Sequence, residues 1–156
     1  MSTEAKDHPG VIAFPPLILA AHVVAGGVAY WLCPLPLLPP LPARSIGVIL
    51  MVAAGAQALW AARSMKRAGT NVRPSLPTTA IVTAGPYRYT RNPMYLSLCL
   101  LYLGLSLLID GVLPVLFLVP LVLTLHFGVI KREERYLAAK FGETYLAYQR
   151  RVRRWI

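Results

Sequence analysis

Four stretches of this sequence contain no Asp, Glu, Lys or Arg, and any fold must keep them from water: residues 14–32, 46–62, 94–109 and 112–130. Each approaches the ~20 residues that cross a hydrocarbon core, the third being the shortest. Only a helix satisfies its own backbone polar groups within one segment in lipid. The expected fold is therefore an all-α integral membrane protein with about four transmembrane helices in a single domain over residues 1–156. Composition agrees. Of the residues 56% are hydrophobic and 14% charged, against roughly 25% charged in a typical soluble domain, and the mean hydropathy is +0.56. These values exclude a disordered chain, a disulfide scaffold and an ordinary soluble enzyme.

The segments between the spans differ in kind. Pro34, Pro36, Pro39, Pro40 and Pro42 interrupt any helix across residues 33–45. Asp110-Gly111 is a short break that makes the last two spans a tight antiparallel hairpin. Pro114 and Pro120 predict a kink or an opened hydrogen-bond ladder in the fourth span. Residues 63–93 form a long polar loop, and loops of that length are usually functional. The first span lacks a cationic leader and a small-residue cleavage site, so it is read as a retained helix rather than a signal peptide.

Charge sets the expected orientation. The formal net charge is +10, and 14 of the 16 cations lie in residues 63–93 and 131–156. Four spans put those segments on one side, which the positive-inside rule makes cytoplasmic, with both termini. A bacterial inner membrane is the expected location. The apolar runs account for the basic balance through lipid, so nucleic acid is not an expected partner. In the tail, Leu137, Phe141, Tyr145, Tyr148 and Val152 form one apolar-aromatic stripe. It suits an amphipathic cytoplasmic helix, lying either on lipid headgroups or over the basic loop, and Gly142 weakens it midway.

Soluble-enzyme motifs are missing: no phosphate loop, nucleophile elbow or Cys/His metal cluster appears. Cys33 and Cys99 have no metal-ligand spacing and suit packing positions. His22 and His126 lie within spans, where an imidazole is a functional candidate or is satisfied by a neighbouring helix. Two clusters stand out. One is Gly85-Pro86-Tyr87-Arg88-Tyr89-Thr90-Arg91-Asn92-Pro93-Met94-Tyr95, leading into the third span. Its aromatic and basic residues suit interfacial anchoring, and Asn92 suits a helix cap or a polar ligand. The other is Lys131-Arg132-Glu133-Glu134-Arg135, just beyond the fourth span. It reads as a solvated salt-bridge patch or as carboxylates that hold a ligand. The hairpin brings the two clusters to the same end.

These motifs resemble the isoprenylcysteine carboxyl methyltransferase and phospholipid methyltransferase superfamily. The resemblance rests on Ile81-Val82-Thr83-Ala84-Gly85-Pro86-Tyr87, Arg91-Asn92-Pro93-Met94-Tyr95, Glu133-Glu134-Arg135-Tyr136-Leu137 and Phe141-Gly142-Glu143-Thr144-Tyr145-Leu146-Ala147-Tyr148, in that order, closed by Arg151-Val152-Arg153-Arg154-Trp155. It covers roughly residues 69–156, and the ordered set is far more specific than any single motif. It implies a membrane enzyme that uses S-adenosyl-L-methionine in a pocket built from loop 63–93 and tail 131–156. By position it places cofactor contacts on Thr79, Ala80, Ile81, Val82, Tyr87, Asn92, Pro93, Met94, Tyr95 and Glu134, the last as the ribose ligand. Lys131 or Arg132 falls near the substrate. The isoprenylcysteine branch usually has His where this chain has Thr79 and Asn92, which removes the basis for assigning that substrate.

Methyl transfer from a sulfonium is an in-line displacement that needs alignment and exclusion of water. A carboxylate acceptor needs no base. An amine, thiol or phenol needs one, and Glu133 or His126 are candidates. The expected catalytic pair is Arg91, to orient the acceptor or support the pocket, and Glu133. The expected partners are membrane lipids and a lipophilic, lipid or prenyl-type acceptor. Two other readings compete: a non-catalytic accessory or scaffold protein of the same fold, and a small transporter. The transporter is disfavoured because no charged residue lies inside a span.

Overall fold

A computed structural model describes residues 8–74 and 76–156, with the side chain of Pro40 left aside. Among these residues the fold is all-helical. The helices are α1 (Pro15–Leu32), α2 (Pro40–Arg67), α3 (Pro93–Leu108), α4 (Val112–Leu116), α5 (Leu118–Leu125), α6 (Lys131–Phe141) and α7 (Glu143–Arg151). A 3-10 turn spans Gly85–Arg88 and a π turn spans His126–Ile130. Three helical segments are long and apolar enough to cross a membrane: Pro15–Leu32, Leu41–Arg67 and Val112–Phe141.

α3 has 16 residues, a length of only about 24 Å at the helical rise. It is the central helix, packed by α1, α2, α4 and α5. Tyr95, Ser97, Cys99, Tyr102, Ser106 and Leu107 are all buried on it. A helix wrapped by protein need not match the lipid thickness by itself. Small residues bring α2 onto it: a Cβ at Gly104 would stand 2.8 Å from the Gly47 carbonyl oxygen, and one at Gly47 2.8 Å from that of Gly104. Such close backbone approach is the usual device for helix pairing in lipid. On the other side Tyr102, 1% exposed, donates its hydroxyl to the Pro114 carbonyl at 2.9 Å. The outward faces of α1 and α2 carry Leu17, Val24, Trp31, Ile49 and Val52, all exposed as lipid contact requires.

The prolines act differently from the expected interruption. α2 begins at Pro40, with Pro42 in its first turn. A proline there gives up no helical hydrogen bond, so the helix starts six residues before the expected span. It also runs on to Arg67, which shortens the expected loop. Pro120 leaves the Leu116 carbonyl without its helical donor, and the rod breaks at Phe117, whose N–H is shared by the carbonyls of Leu113 and Pro114. Of the kink or opened ladder expected here, the opened ladder is present. Beyond it the fourth span does not stop at residue 130 but continues through the π turn into α6. The chain turns only at Gly142, with φ +52° and ψ −131°, a conformation open to glycine alone. The tail is thus two short helices instead of one.

The α3–α4 hairpin turns on Asp110, at φ +52°. Its carboxylate accepts the Leu37 and Leu38 N–H groups at 3.1 and 2.9 Å, and Val112 N–H donates to the Leu35 carbonyl at 2.9 Å. The proline-rich segment is thereby tied to the hairpin. His22 Nδ1 lies 2.8 Å from the Ile18 carbonyl of its own helix, and Cys99 is buried in the core while Cys33 is exposed. Asp110→Ala is expected to lower stability by about 1–3 kcal/mol, the cost of two lost charge-assisted hydrogen bonds. Asp110→Asn, which tolerates the left-handed backbone, should lose less. Thermal unfolding in detergent measures both.

Candidate functional site

At one end of the bundle the N-terminus of α1, the C-terminus of α2, the N-terminus of α3 and helix α6 surround a cavity of about 260 Å³. The chain builds it by crossing its own ends. Arg91 N–H donates to the Arg153 carbonyl at 3.0 Å. Thr90 Oγ1 and Asn92 Nδ2 both donate to the Arg154 carbonyl, at 3.2 and 2.9 Å. Tyr148 donates its hydroxyl to the Tyr87 carbonyl at 2.8 Å. The tail therefore lies over the loop, the second of the two arrangements its stripe allowed. Asn92 stands at the N-cap position of α3, but its side chain holds the tail and does not cap the helix.

An ion cluster fastens this crossing. Glu134 is 8% exposed. Arg154 grips it with Nε at 2.9 Å from Oε1 and Nη2 at 2.7 Å from Oε2. Arg91 Nη1 stands 3.0 Å from Oε1 on the other side, but is not aligned for a hydrogen bond. Arg91 Nε and Nη1 are buried with no hydrogen-bond partner among the described residues. A buried guanidinium with idle donors at a cavity wall is costly unless something accepts them. One residue back, Glu133 Oε1 accepts the Tyr95 hydroxyl at 2.6 Å, and Glu133 has no ion pair among the described residues.

The tyrosines around these groups are donors, not bases. Burial, with the Glu134 carboxylate second, pushes the Tyr145 phenol up to about 12. Burial also raises Tyr87 and Tyr148 well above the ordinary range, with the nearby charges of Glu133 and Tyr145 adding to it respectively. The hydrogen bonds to Glu134 raise Arg154 further, so it stays cationic.

Of the residues singled out in the sequence, Ala80, Ile81, Val82, Tyr87, Arg91, Asn92, Pro93, Met94, Tyr95, Glu133 and Glu134 all line the cavity. Thr79 does not. It is exposed, its hydroxyl donates to the Gly69 carbonyl at 2.7 Å, and its N–H donates to Thr70 Oγ1 at 3.0 Å. Lys131 and Arg132 also lie off the cavity. Lys131 sits over the Phe127 ring at 4.6 Å, and Arg132 Nη1 donates to the Gly10 carbonyl at 2.9 Å. His126 accepts the Trp155 indole N–H at 3.3 Å and is likewise outside the lining. Sequence reasoning passed over Pro9, Phe14, Pro15, Pro16, Asn71, Arg73 and Tyr136, which do line it. It also gave Arg154 no role. An arginine that pairs with a buried carboxylate looks, in a basic tail, like any topological charge.

This crossing of loop and tail meets a match from known proteins. The phospholipid methyltransferase family model matches residues 43–144, nearly two-thirds of the chain. The chain belongs to the phospholipid methyltransferase family. It is also 41% identical over 63 residues to an uncharacterized protein of Haemophilus influenzae, an alignment that covers 40% of this chain and all of that protein. Family membership and the apolar helices together describe a methyltransferase of the membrane.

Glu134→Ala leaves two arginines facing each other without a counter-charge. Breaking a buried pair in this way costs about 3–5 kcal/mol, discounted here because Arg154 is partly exposed. The expected result is faster amide hydrogen exchange across residues 143–154, with α1 and α2 unchanged.

Proposed function

We propose that this family member is an S-adenosyl-L-methionine-dependent methyltransferase acting on a lipophilic acceptor at the cytoplasmic face of a bacterial inner membrane, with both termini cytoplasmic. The observation that carries the reading is Arg91. Its Nε is buried without a hydrogen-bond partner among the described residues, and its Nη1 has only the unaligned ion pair to Glu134, at a cavity wall that also holds the Glu133 carboxylate. The chemistry of this donor set suits the cofactor, which has a carboxylate, an ammonium, ribose hydroxyls and a flat apolar ring.

In this reading the idle Arg91 donors take a carboxylate oxygen of the cofactor, and Glu133 or Glu134 takes its ammonium or hydroxyl hydrogens. Ala80, Ile81, Val82 and Met94 supply the apolar contacts for the ring. Bound there, the cofactor supplies a methyl group on a positively charged sulfur, ready for displacement by a lone pair. The remaining task for the protein is to align the acceptor and keep water out. The tail does the second by lying over the loop through Tyr148 and the Arg153 and Arg154 carbonyls. Glu133 receives the proton when the acceptor is an amine, thiol or phenol, and Tyr95 holds its carboxylate in place. A carboxylate acceptor needs no such step.

Lateral access supports a lipophilic acceptor. α1 and α2 both rest on α3 without an extensive contact to each other, and Pro15 and Ala58 line the cavity from those two helices. An apolar chain can pass between them from the bilayer while its polar head stays at the wet end.

Calorimetric titration of the detergent-solubilised protein with S-adenosyl-L-methionine tests the reading. Arg91→Met is expected to weaken binding by about 10- to 100-fold, the loss of charge-assisted hydrogen bonds. Glu133→Gln should slow transfer of labelled methyl to an extract of total membrane lipid. Failure of the wild type to bind at millimolar cofactor sinks the enzyme reading in favour of a non-catalytic accessory protein.

A further inference from the structure

One wall of the cavity lies outside the residues that the family model matches. The family match begins at residue 43, yet Pro9, Phe14, Pro15 and Pro16 line the cavity. These four side chains are all apolar. The charged groups that match the cofactor, Arg91, Glu133 and Glu134, all fall within the matched segment.

The N-terminal segment turns on itself and is held to the rest of the fold by two hydrogen bonds. Gly10, at φ +59°, turns the chain, and its N–H donates to His8 Nδ1 at 3.1 Å. Arg132 Nη1 donates to the Gly10 carbonyl at 2.9 Å. Ile12 N–H donates to the Gly128 carbonyl at 3.2 Å. Gly128 lies in the π turn, where the altered register releases carbonyls from the α-helical ladder. It also has to be a glycine for the segment to dock, because a Cβ there would stand 2.3 Å from Ile12 Cδ1 and 2.8 Å from Cγ1. Val11 and Ala13 pack against the core on either side of Ile12.

We propose that residues 9–14 form a strap that selects the methyl acceptor, with Phe14 in contact with its apolar portion and with Gly128 and Arg132 as the positioning residues that hold the strap. The inference rests on the lipophilic-acceptor reading above. The apolar portion of an acceptor is met by apolar side chains, and Pro9, Phe14, Pro15 and Pro16 present only such side chains. Arg132, read from sequence as lying near the substrate, then acts on the substrate through the strap and not by touching it.

The test uses the full chain in lipid nanodiscs. Hydrogen exchange is followed over residues 8–14. Methylation is run with labelled S-adenosyl-L-methionine and total membrane lipid extract, and products are sorted by chain length in a mass spectrometer. The Ile12 amide is expected to be protected in the wild type and to exchange about fivefold faster in Arg132→Gln and Gly128→Val, the loss of one hydrogen bond's worth of protection. Protection returns in the double variant Ile12→Ala/Gly128→Val, which makes room for the new side chain and separates a local clash from general misfolding. Phe14→Ala shifts the products toward bulkier chains and leaves the KM for the cofactor unchanged. The proposal is overturned if the wild-type Ile12 amide exchanges as in a free peptide. It is also overturned if Phe14→Ala leaves the chain-length distribution as it was, or moves the cofactor KM by the same factor as the acceptor's. A wild type that labels no lipid at all sinks the function reading and the acceptor role together. That result differs from failure of the strap alone, in which product forms but its chain length ignores Phe14.

Discussion

The Glu134 carboxylate stands between two guanidiniums that come from segments more than sixty residues apart, and their meeting fastens the tail over the loop at the cavity. Arg91 precedes α3 and Arg154 follows α7, and each reaches the same buried acid on α6. Taking three charges out of water is expensive, and a cluster of this kind is tolerated only where other hydrogen bonds complete it. Here the completion comes from backbone: the carbonyls of Arg153 and Arg154 accept Arg91, Thr90 and Asn92. The crossing of loop over tail is thus fixed by both side-chain and main-chain groups. The unfinished part of the cluster is Arg91, whose Nε is buried without a hydrogen bond among the described residues and which lines the cavity.

Above the cluster, the bundle is organised to protect a helix that is too short to span by itself. α3 is enclosed by its neighbours, so its length is set by where the site must sit and not by the bilayer. The close approach at Gly47 and Gly104 and the buried Tyr102 lock it on two sides. The far end is tied through Asp110 to the proline-rich segment. This arrangement leaves α1 and α2 as outer helices with apolar faces exposed.

Membership of the phospholipid methyltransferase family accounts for the loop, α3 and α6 walls of the cavity, since all lie within the matched residues. The strap before α1 and Tyr145, Tyr148 and Arg154 in the tail lie outside the matched residues.

The sequence by itself determined the elements. Charge-free runs near the length of a bilayer can only be helices, so the all-α membrane fold and the Asp110-Gly111 hairpin were legible, as was the break near Pro120. The ordered motifs marked eleven residues of the cavity wall, because the chemistry of a turn, an Arg-Asn-Pro helix start and a pair of glutamates is local and survives in the chain order. The remainder came from how the elements pack against one another. Whether Pro40 and Pro42 interrupt or begin a helix depends on where the first turn falls, and their spacing alone does not say. Whether Lys131, Arg132 and Arg154 belong to the site depends on which way the rod beyond the π turn faces, and a basic run looks the same in sequence whatever it faces. The strap at Pro9–Phe14 was invisible for the same reason. Its place rests on two hydrogen bonds and a missing Cβ at residues more than a hundred positions away, and contacts of that kind leave no periodic trace in a chain.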